Sequence, residues 1–323
     1  MDAGETEQMV KEFDLPLPFG GSGKVREWYR LPDSKRLIIT TDRISAFDRV
    51  IARVPFKGQV LNQLSAFWFE RTRDIVPNHL VAAIDPAASV VTDAEAFPVE
   101  VIVRGRITGV TSTALWRRYE LGERNIYGYD FPEGLRKNDA LKEPIVTPTT
   151  KGGPTGHDER LTPAEVVSGG WLDAPTWERV MAAALALFER GRSIARSAGL
   201  ELVDTKYEFG RSPEGEVMLI DEVHTPDSSR FWKLSTIEER IGRGEEPEAM
   251  DKEFVRLAFA KLGYRGDGPI PELPAKVWEE TGALYRRVYE ALTGHAFVPA
   301  AGTGSAKEAS KRIMDALRRG GYA

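Results

Sequence analysis

Strand-like and helical segments are grouped along this chain rather than strictly alternating, which favours an α+β architecture over a doubly wound parallel sheet. GGSGKVREWYRL and KRLIITT, rich in aromatic and β-branched residues and joined by Pro32-Asp33-Ser34, predict a hairpin with a glycine-rich entrance. Residues 58–73 then carry Val60, Leu61, Leu64, Phe67 and Trp68 on one helical face. VEVIVRGRI at 99–107 returns to strand character, whereas 121–170, rich in Gly, Pro, Asn and Asp, reads as a long functional loop. Trp177, Met181, Leu185 and Phe188 recur at helical intervals between Pro175, a suitable helix start, and Gly199, a suitable stop. ELVDTKYEFG and EVMLIDEV predict a second hairpin around Ser212-Pro213-Glu214-Gly215, and three helices follow near 250–262, 274–293 and 305–319. No internal repeat is present, and two lobes with a cleft are expected.

Composition narrows the function classes. At 323 residues with 41% hydrophobic and 29% charged content, the chain is an ordinary globular one with enough material for a substantial core. Cysteine is absent, which excludes disulfides, thiolate metal sites and thiol nucleophiles and makes the cytoplasm the expected compartment. The acidic N-terminus does not read as a signal peptide, and no apolar run approaches the roughly 20 residues that cross a bilayer. A net charge of -5 gives no general attraction for nucleic acid, although a small phosphorylated ligand needs only a local basic cluster.

Several segments concentrate chemistry. Gly20-Gly21-Ser22-Gly23-Lys24-Val25-Arg26 fits a phosphate cradle, since glycines let backbone N–H groups approach anionic oxygens beside Lys24 and Arg26. It is neither a Walker A loop nor a dinucleotide fingerprint, and taken alone it also reads as a flexible turn. In DTKYEFG, strand alternation puts Asp204, Lys206 and Glu208 on one face and Val203, Thr205, Tyr207 and Phe209 on the other. Asp221-Glu222 adds carboxylates to the same hairpin, so that a Mg²⁺ site and a solvated charged edge both fit. The loop from His224 to Arg230 is dense in hydrogen-bonding groups, and Arg230 suits a carboxylate or phosphate. Arg104 and Arg106 point to one side of an apolar strand, either for a ligand or for ion pairing, with Thr108, Thr111, Ser112 and Thr113 just beyond. The four His residues lack metal-ligand spacing, and His157 and Asp158 read as exposed or structural. Lys307, Lys311, Arg312, Arg318 and Arg319 read as a solvated basic helix face.

Taken in order, GKVREWY, TDRISAFD, KGQVLNQLSAFW, PVEVIVRGRITG, VDTKYEFG and IDEVHTPDSSRFW resemble the SAICAR synthetase family from about Gly23 to Trp232, and the remainder resembles its longer single-chain form. The resemblance implies a distantly kinase-like, antiparallel-sheet ATP-binding lobe over residues 1–115. It implies a substrate- and metal-binding α+β lobe with C-terminal helices over 116–323, with ATP between the two. Gly23, Lys24 and Arg26 would contact ATP phosphates, Glu95, Ala96 and Phe97 would present backbone to adenine, and Glu100 would reach the ribose. Glu208 and Asp221 would hold Mg²⁺, with Lys206 beside the transferring phosphoryl group and Lys24 as its catalytic partner. Arg104 and Arg230 would hold the imidazole nucleotide, with Asp204, Asp227 and Asp139 nearby. Family members place a serine after the glycine that Gly109 matches; Val110 stands here, and the hydroxyl role passes to Thr111 or Ser112.

The reaction implied is ATP-dependent joining of carboxyaminoimidazole ribonucleotide (CAIR) to L-aspartate through an acyl phosphate, by a monomer without nucleic-acid or membrane partners. A kinase that shares the nucleotide lobe is one rival, and its H-R-D-x-x-x-x-N loop is missing. A non-catalytic nucleotide-binding protein is another.

Overall fold

The computed structural model describes residues 12–47, 49–151, 158–264, 266, 268–301 and 305–323, so His157 lies outside the described residues. Packing resolves two compact units that interleave in sequence: residues up to Ala66 with Leu80–Asp93 and everything from Phe254 onward, and Phe67–His79 with Ala94–Glu253. A single cut at residue 115 divides the chain differently. Strand pairing draws the segment after Ala94 into the second unit, and the C-terminal helices join the first.

The first unit begins with β1 (Phe19–Ser22), β2 (Arg26–Leu31), β3 (Lys35–Thr40), β4 (Arg43–Ala46) and β5 (Arg49–Arg53), followed by α1 (Lys57–Thr72) as far as Ala66, β6 (Leu80–Asp85) and β7 (Ala88–Thr92). An antiparallel sheet in the order β1-β2-β3-β7-β6 contains the expected hairpin, with Trp28 opposite Ile38. Inward residues recur with the strand period of two: Tyr29 on β2, Leu37 and Ile39 on β3, and Ala88 and Val90 on β7.

The second unit contains β8 (Glu95–Arg106), α2 (Leu115–Glu120), β9 (Asn125–Ile126), β10 (Tyr129–Asp130), β11 (Ala140–Thr150), α3 (Pro163–Ser168), α4 (Ala174–Ser197), β12 (Leu200–Arg211), β13 (Val217–Ile220), β14 (Ser229–Lys233) and α5 (Ile237–Gly242). The chain then returns to the first unit with α6 (Glu253–Lys261), α7 (Ala275–Thr293) and α8 (Ala306–Arg319). Ile313 and Leu317 of α8 complete the core under the first sheet.

The second sheet runs β11-β8-β12-β13, with β14 also paired to β12. The stretch 121–170 is therefore not one long loop, since it holds the eleven-residue β11. Pro144 and Pro148 hid this strand from a pattern reading, yet β11 is an edge strand, where a missing N–H is tolerated. Helix α4 starts as expected: Asp173 accepts the Thr176 N–H at 2.9 Å, Pro175 needs no donor, and Gly199 takes φ +75° just beyond the end. Trp177, Val180, Ala184, Leu187 and Phe188 are buried on α4, which packs on β12 and β8.

Candidate active site

In the first unit, Gly23 and Lys24 are exposed in the turn between β1 and β2, and Arg26 is half-buried where β2 begins. The three glycines fall into two kinds. A Cβ on Gly20 would lie 1.9 Å from the Trp28 ring and one on Gly21 2.9 Å from it, so both make room for that indole, which carries Arg36 over its face at 4.5 Å. A Cβ on Gly23 would meet nothing within 4 Å, which leaves Gly23 as the glycine that opens space for a ligand.

In the second unit, β12 lies between β8 on one side and β13 and β14 on the other. Its charged face is consequently no solvated edge. Successive same-face residues of a strand stand about 7 Å apart, and each here has oppositely charged partners. Asp204 pairs with Arg230 and lies 3.7 Å from Arg104. The Lys206 ammonium donates to Glu100 at 2.7 Å and to Glu208 at 2.6 Å. The second Glu208 oxygen pairs with Lys151.

Electrostatics fixes these charge states. Burial alone would raise the Glu208 carboxyl, but the Lys206 and Lys151 ammonium groups outweigh it and hold the group at about 2. Burial would likewise lower Lys206, yet Glu208, Glu100 and Asp221 keep it well above the usual lysine range. Glu100 goes the other way: burial raises it, Lys206 offsets this only in part, and Glu208 and Asp158 add repulsion. Asp158 thus belongs to the electrostatic surroundings of this face.

The arginines at the other end of this face have their own partners. Arg104 Nε donates to Thr147 Oγ1 at 2.8 Å, and Arg230 lies 3.8 Å from Glu253 as well as against Asp204. Of the two roles open to Arg104 and Arg106, ligand binding and ion pairing, the pairing is present at both. Arg230 stands on β14 rather than in a loop. A Cβ on Gly109, at φ +91°, would come 3.7 Å from Arg230 Nη2, so the turn carrying exposed Thr111 and Ser112 starts beside that guanidinium. Asp227 is nearly buried and 3.8 Å from Lys252. Asp139 is occupied locally, accepting the Arg136 N–H at 2.7 Å. Arg106, by contrast, is pinned between the Asn138 carbonyl and Glu238, each at 3.1 Å, and lies over Trp232.

Two further placements concern residues expected at a nucleotide. The β11 ladder along β8 ends at Val99, so no described strand pairs Glu95, Ala96 and Phe97 on that side, and on the other side Glu95 and Ala96 pair with Arg211 and Gly210 of β12. Glu100, expected at a ribose, is the ion-pair partner of Lys206.

His224 is not among the groups that can reach a substrate. It is fully buried, shares a 2.5 Å hydrogen bond with Tyr207 Oη through Nε2, and packs edge-on to Trp68 at 4.6 Å. Burial lowers its pKa to about 3, which keeps it neutral. A Cβ on Gly191 would fall 2.3 Å from His224 Cε1. His224 also sits at φ +45°, three residues beyond Asp221 at φ +70°. Gly191→Ala should cost about 1–3 kcal/mol through overpacking, read as a lowered midpoint of chemical denaturation; an unchanged midpoint would show that the ring has room to move.

Lys151 and Arg43 were missed by sequence reading. Lys151 directly follows the strand hidden by its prolines, and Arg43 lies in TDRISAFD, a segment whose charged residues carry no periodic signal.

The family model described as SAICAR synthetase matches residues 21–269. The chain belongs to the SAICAR synthetase family. Phosphoribosylaminoimidazole-succinocarboxamide synthase of Legionella pneumophila (strain Lens) is 48% identical over 289 residues, covering 88% of this chain and 91% of that one. The Bacteroides thetaiotaomicron enzyme of the same name is 41% identical over 300 residues, covering 92% and 94%. Among solved structures, SAICAR-synthase from Saccharomyces cerevisiae, described as complexed with SAICAR, gives a TM-score of 0.76 at 32% identity over 90% of this chain and all of that one. As a member of the SAICAR synthetase family the protein is a ligase of purine biosynthesis, with the α+β fold of its relatives. No helix among the described residues is long and apolar enough to cross a membrane.

Proposed function

We propose that the protein condenses CAIR with L-aspartate at the expense of ATP, giving SAICAR, ADP and phosphate. The observation that carries this reading is the charged face of β12, where an arginine-flanked carboxylate and a carboxylate-flanked lysine are neighbours on one strand. Arg104 and Arg230 suit the phosphate or carboxylate of an anionic nucleotide, and Lys206 suits a phosphoryl group in transfer. Support also comes from the yeast relative, described as complexed with SAICAR.

In this reading a carboxylate oxygen of CAIR attacks the γ-phosphorus of ATP and ADP leaves. The aspartate amine then attacks the acyl carbon of the acyl phosphate, phosphate departs, and the nitrogen loses a proton as the amide forms. Activation is needed because a carboxylate is a poor electrophile, and no side-chain nucleophile takes part. The protein supplies position and charge. Gly23, Lys24 and Arg26 take ATP phosphates, the backbone of Glu95, Ala96 and Phe97 faces adenine, and Lys206 meets the transferring group. Asp204, Asp227, Asp139, Thr111 and Ser112 are assigned to substrate, the first of them against the arginines.

Magnesium fits the donor set. Glu208 and Asp221 are hard carboxylates that both act on the Lys206 ammonium, and Mg²⁺ typically takes one or two carboxylates together with phosphate oxygens and water. Among the described residues no group of three acidic or imidazole side chains forms a ready-made cage, in keeping with that sparse coordination. When bound it would neutralise phosphate charge. We assign the enzyme to the cytoplasm and to a monomeric state.

The test is phosphate release from ATP with CAIR, with and without L-aspartate and Mg²⁺, alongside detection of the amide. Amide formation requiring every component is expected; phosphate release that ignores aspartate would instead mark a kinase or ATPase. Arg230→Lys keeps the charge and loses the planar fork. It should raise KM for CAIR by about tenfold, the scale of one lost bidentate contact, with kcat less affected; unchanged kinetics for every substrate would remove Arg230 from the site.

A further inference from the structure

We infer that Arg43, with Thr41, is a positioning residue that sets the glycine-rich turn in a phosphate-receiving conformation; this rests on the ATP reading above. Arg43 is buried at the start of β4, and three of its hydrogen bonds fall on that turn. Nη2 reaches Ser22 Oγ and the Gly23 carbonyl at 3.3 Å and the Arg26 carbonyl at 3.5 Å. Nε donates to Thr41 Oγ1 at 3.0 Å. Thr41 in turn gives both its hydroxyl and its backbone N–H to the Val25 carbonyl, each at 2.9 Å. The buried Glu27 carboxylate lies 3.9 Å from the guanidinium and offsets its charge.

The consequence follows from peptide geometry. In a trans peptide the C=O of one residue and the N–H of the next point in opposite directions, and no described peptide is cis. Drawing the Gly23 carbonyl to Arg43 therefore turns the Lys24 N–H away from it. Drawing the Val25 carbonyl to Thr41 does the same for the Arg26 N–H. Donors of the two residues assigned to phosphate are thus oriented by groups that need never touch the ligand, around Gly23, the glycine of this turn whose missing side chain leaves open space. Lysine cannot substitute, because a single ammonium does not span Thr41 Oγ1 on one side and three turn oxygens on the other.

The experiment is titration of Mg²⁺–ADP into the wild type, Arg43→Lys and Thr41→Val by calorimetry, which needs no turnover, paired with KM values for ATP and CAIR. Arg43→Lys should weaken ADP binding about tenfold, in line with loss of an oriented charge-assisted bond network, and raise KM for ATP in parallel while KM for CAIR moves less than twofold. Equal ADP affinity in wild type and Arg43→Lys would overturn the inference, as would equal increases in both KM values, the signature of general loosening. Should Arg43→Lys fail to fold, the near-isosteric Thr41→Val carries the test: ADP affinity lowered about threefold or more, the worth of one neutral hydrogen bond, supports the clamp and unchanged affinity refutes it. Wild-type protein that binds no ADP would instead refute the ATP reading.

Discussion

Glu208→Gln should lower turnover by roughly 10²–10³-fold, the scale on which removing one preorganised electrostatic group acts, and should raise the Mg²⁺ concentration needed for half activity. Glutamine keeps the shape and the hydrogen-bond acceptor but loses the charge that faces Lys206 and Lys151. The fold should survive, because Lys206 retains Glu100 at 2.7 Å and Lys151 is substantially exposed. A pH experiment separates the two effects. The folded-state pKa of Glu208 is depressed from 4.5 to about 2, so its stabilising contribution is complete above the unfolded value and is lost as pH falls from 4.5 towards 2. Acid denaturation of the wild type should therefore be steeper than that of Glu208→Gln across that window, with the two nearly parallel at neutral pH. Normal turnover in Glu208→Gln, with an unaltered magnesium requirement, would refute the metal assignment.

The sequence was most legible where a period met a local signal. The alternation of DTKYEFG placed Asp204, Lys206 and Glu208 together correctly, because a two-residue period is intrinsic to any strand. Helix α4 was readable for similar reasons, its start and stop being set by Asp173, Pro175 and Gly199 within its own segment. What could not be read was partnership across long separations. Lys151 meets Glu208 across 57 positions, and nothing local to either residue announces the other. The glycine-rich turn shows the converse error: Gly20 and Gly21 looked like part of a phosphate cradle, whereas their missing side chains are accounted for by an indole eight and seven residues away. His224 misled in the same way, since polar neighbours in sequence concealed that its ring turns inward to Tyr207 and Gly191.

Arg312→Leu should destabilise the protein by about 3–5 kcal/mol, the usual consequence of removing one member of a buried ion pair and stranding the other. The basic face of the last helix reads as solvated, and for Arg312 the structure corrects this. Its Nε and Nη2 donate to the two Asp85 oxygens at 2.6 and 3.2 Å, and the Asp85 side chain is only 2% exposed. Nη1 reaches the Ala301 carbonyl at 2.8 Å, so one guanidinium ties α8 both to the end of β6 and to the segment before the helix. Asp85 is itself committed, accepting the Ala87 N–H at 3.0 Å in the turn between β6 and β7. Leucine would leave that carboxylate desolvated with a single backbone donor, and the turn would either open to water or protonate it. Double replacement should be milder than the single one: Asp85→Asn with Arg312→Leu removes both charges, and the cycle measured by urea denaturation should show a coupling of about 1–3 kcal/mol. Additive effects would mean that the pair is already solvated and that α8 is held to the first sheet by Ile313, Met314 and Leu317 alone.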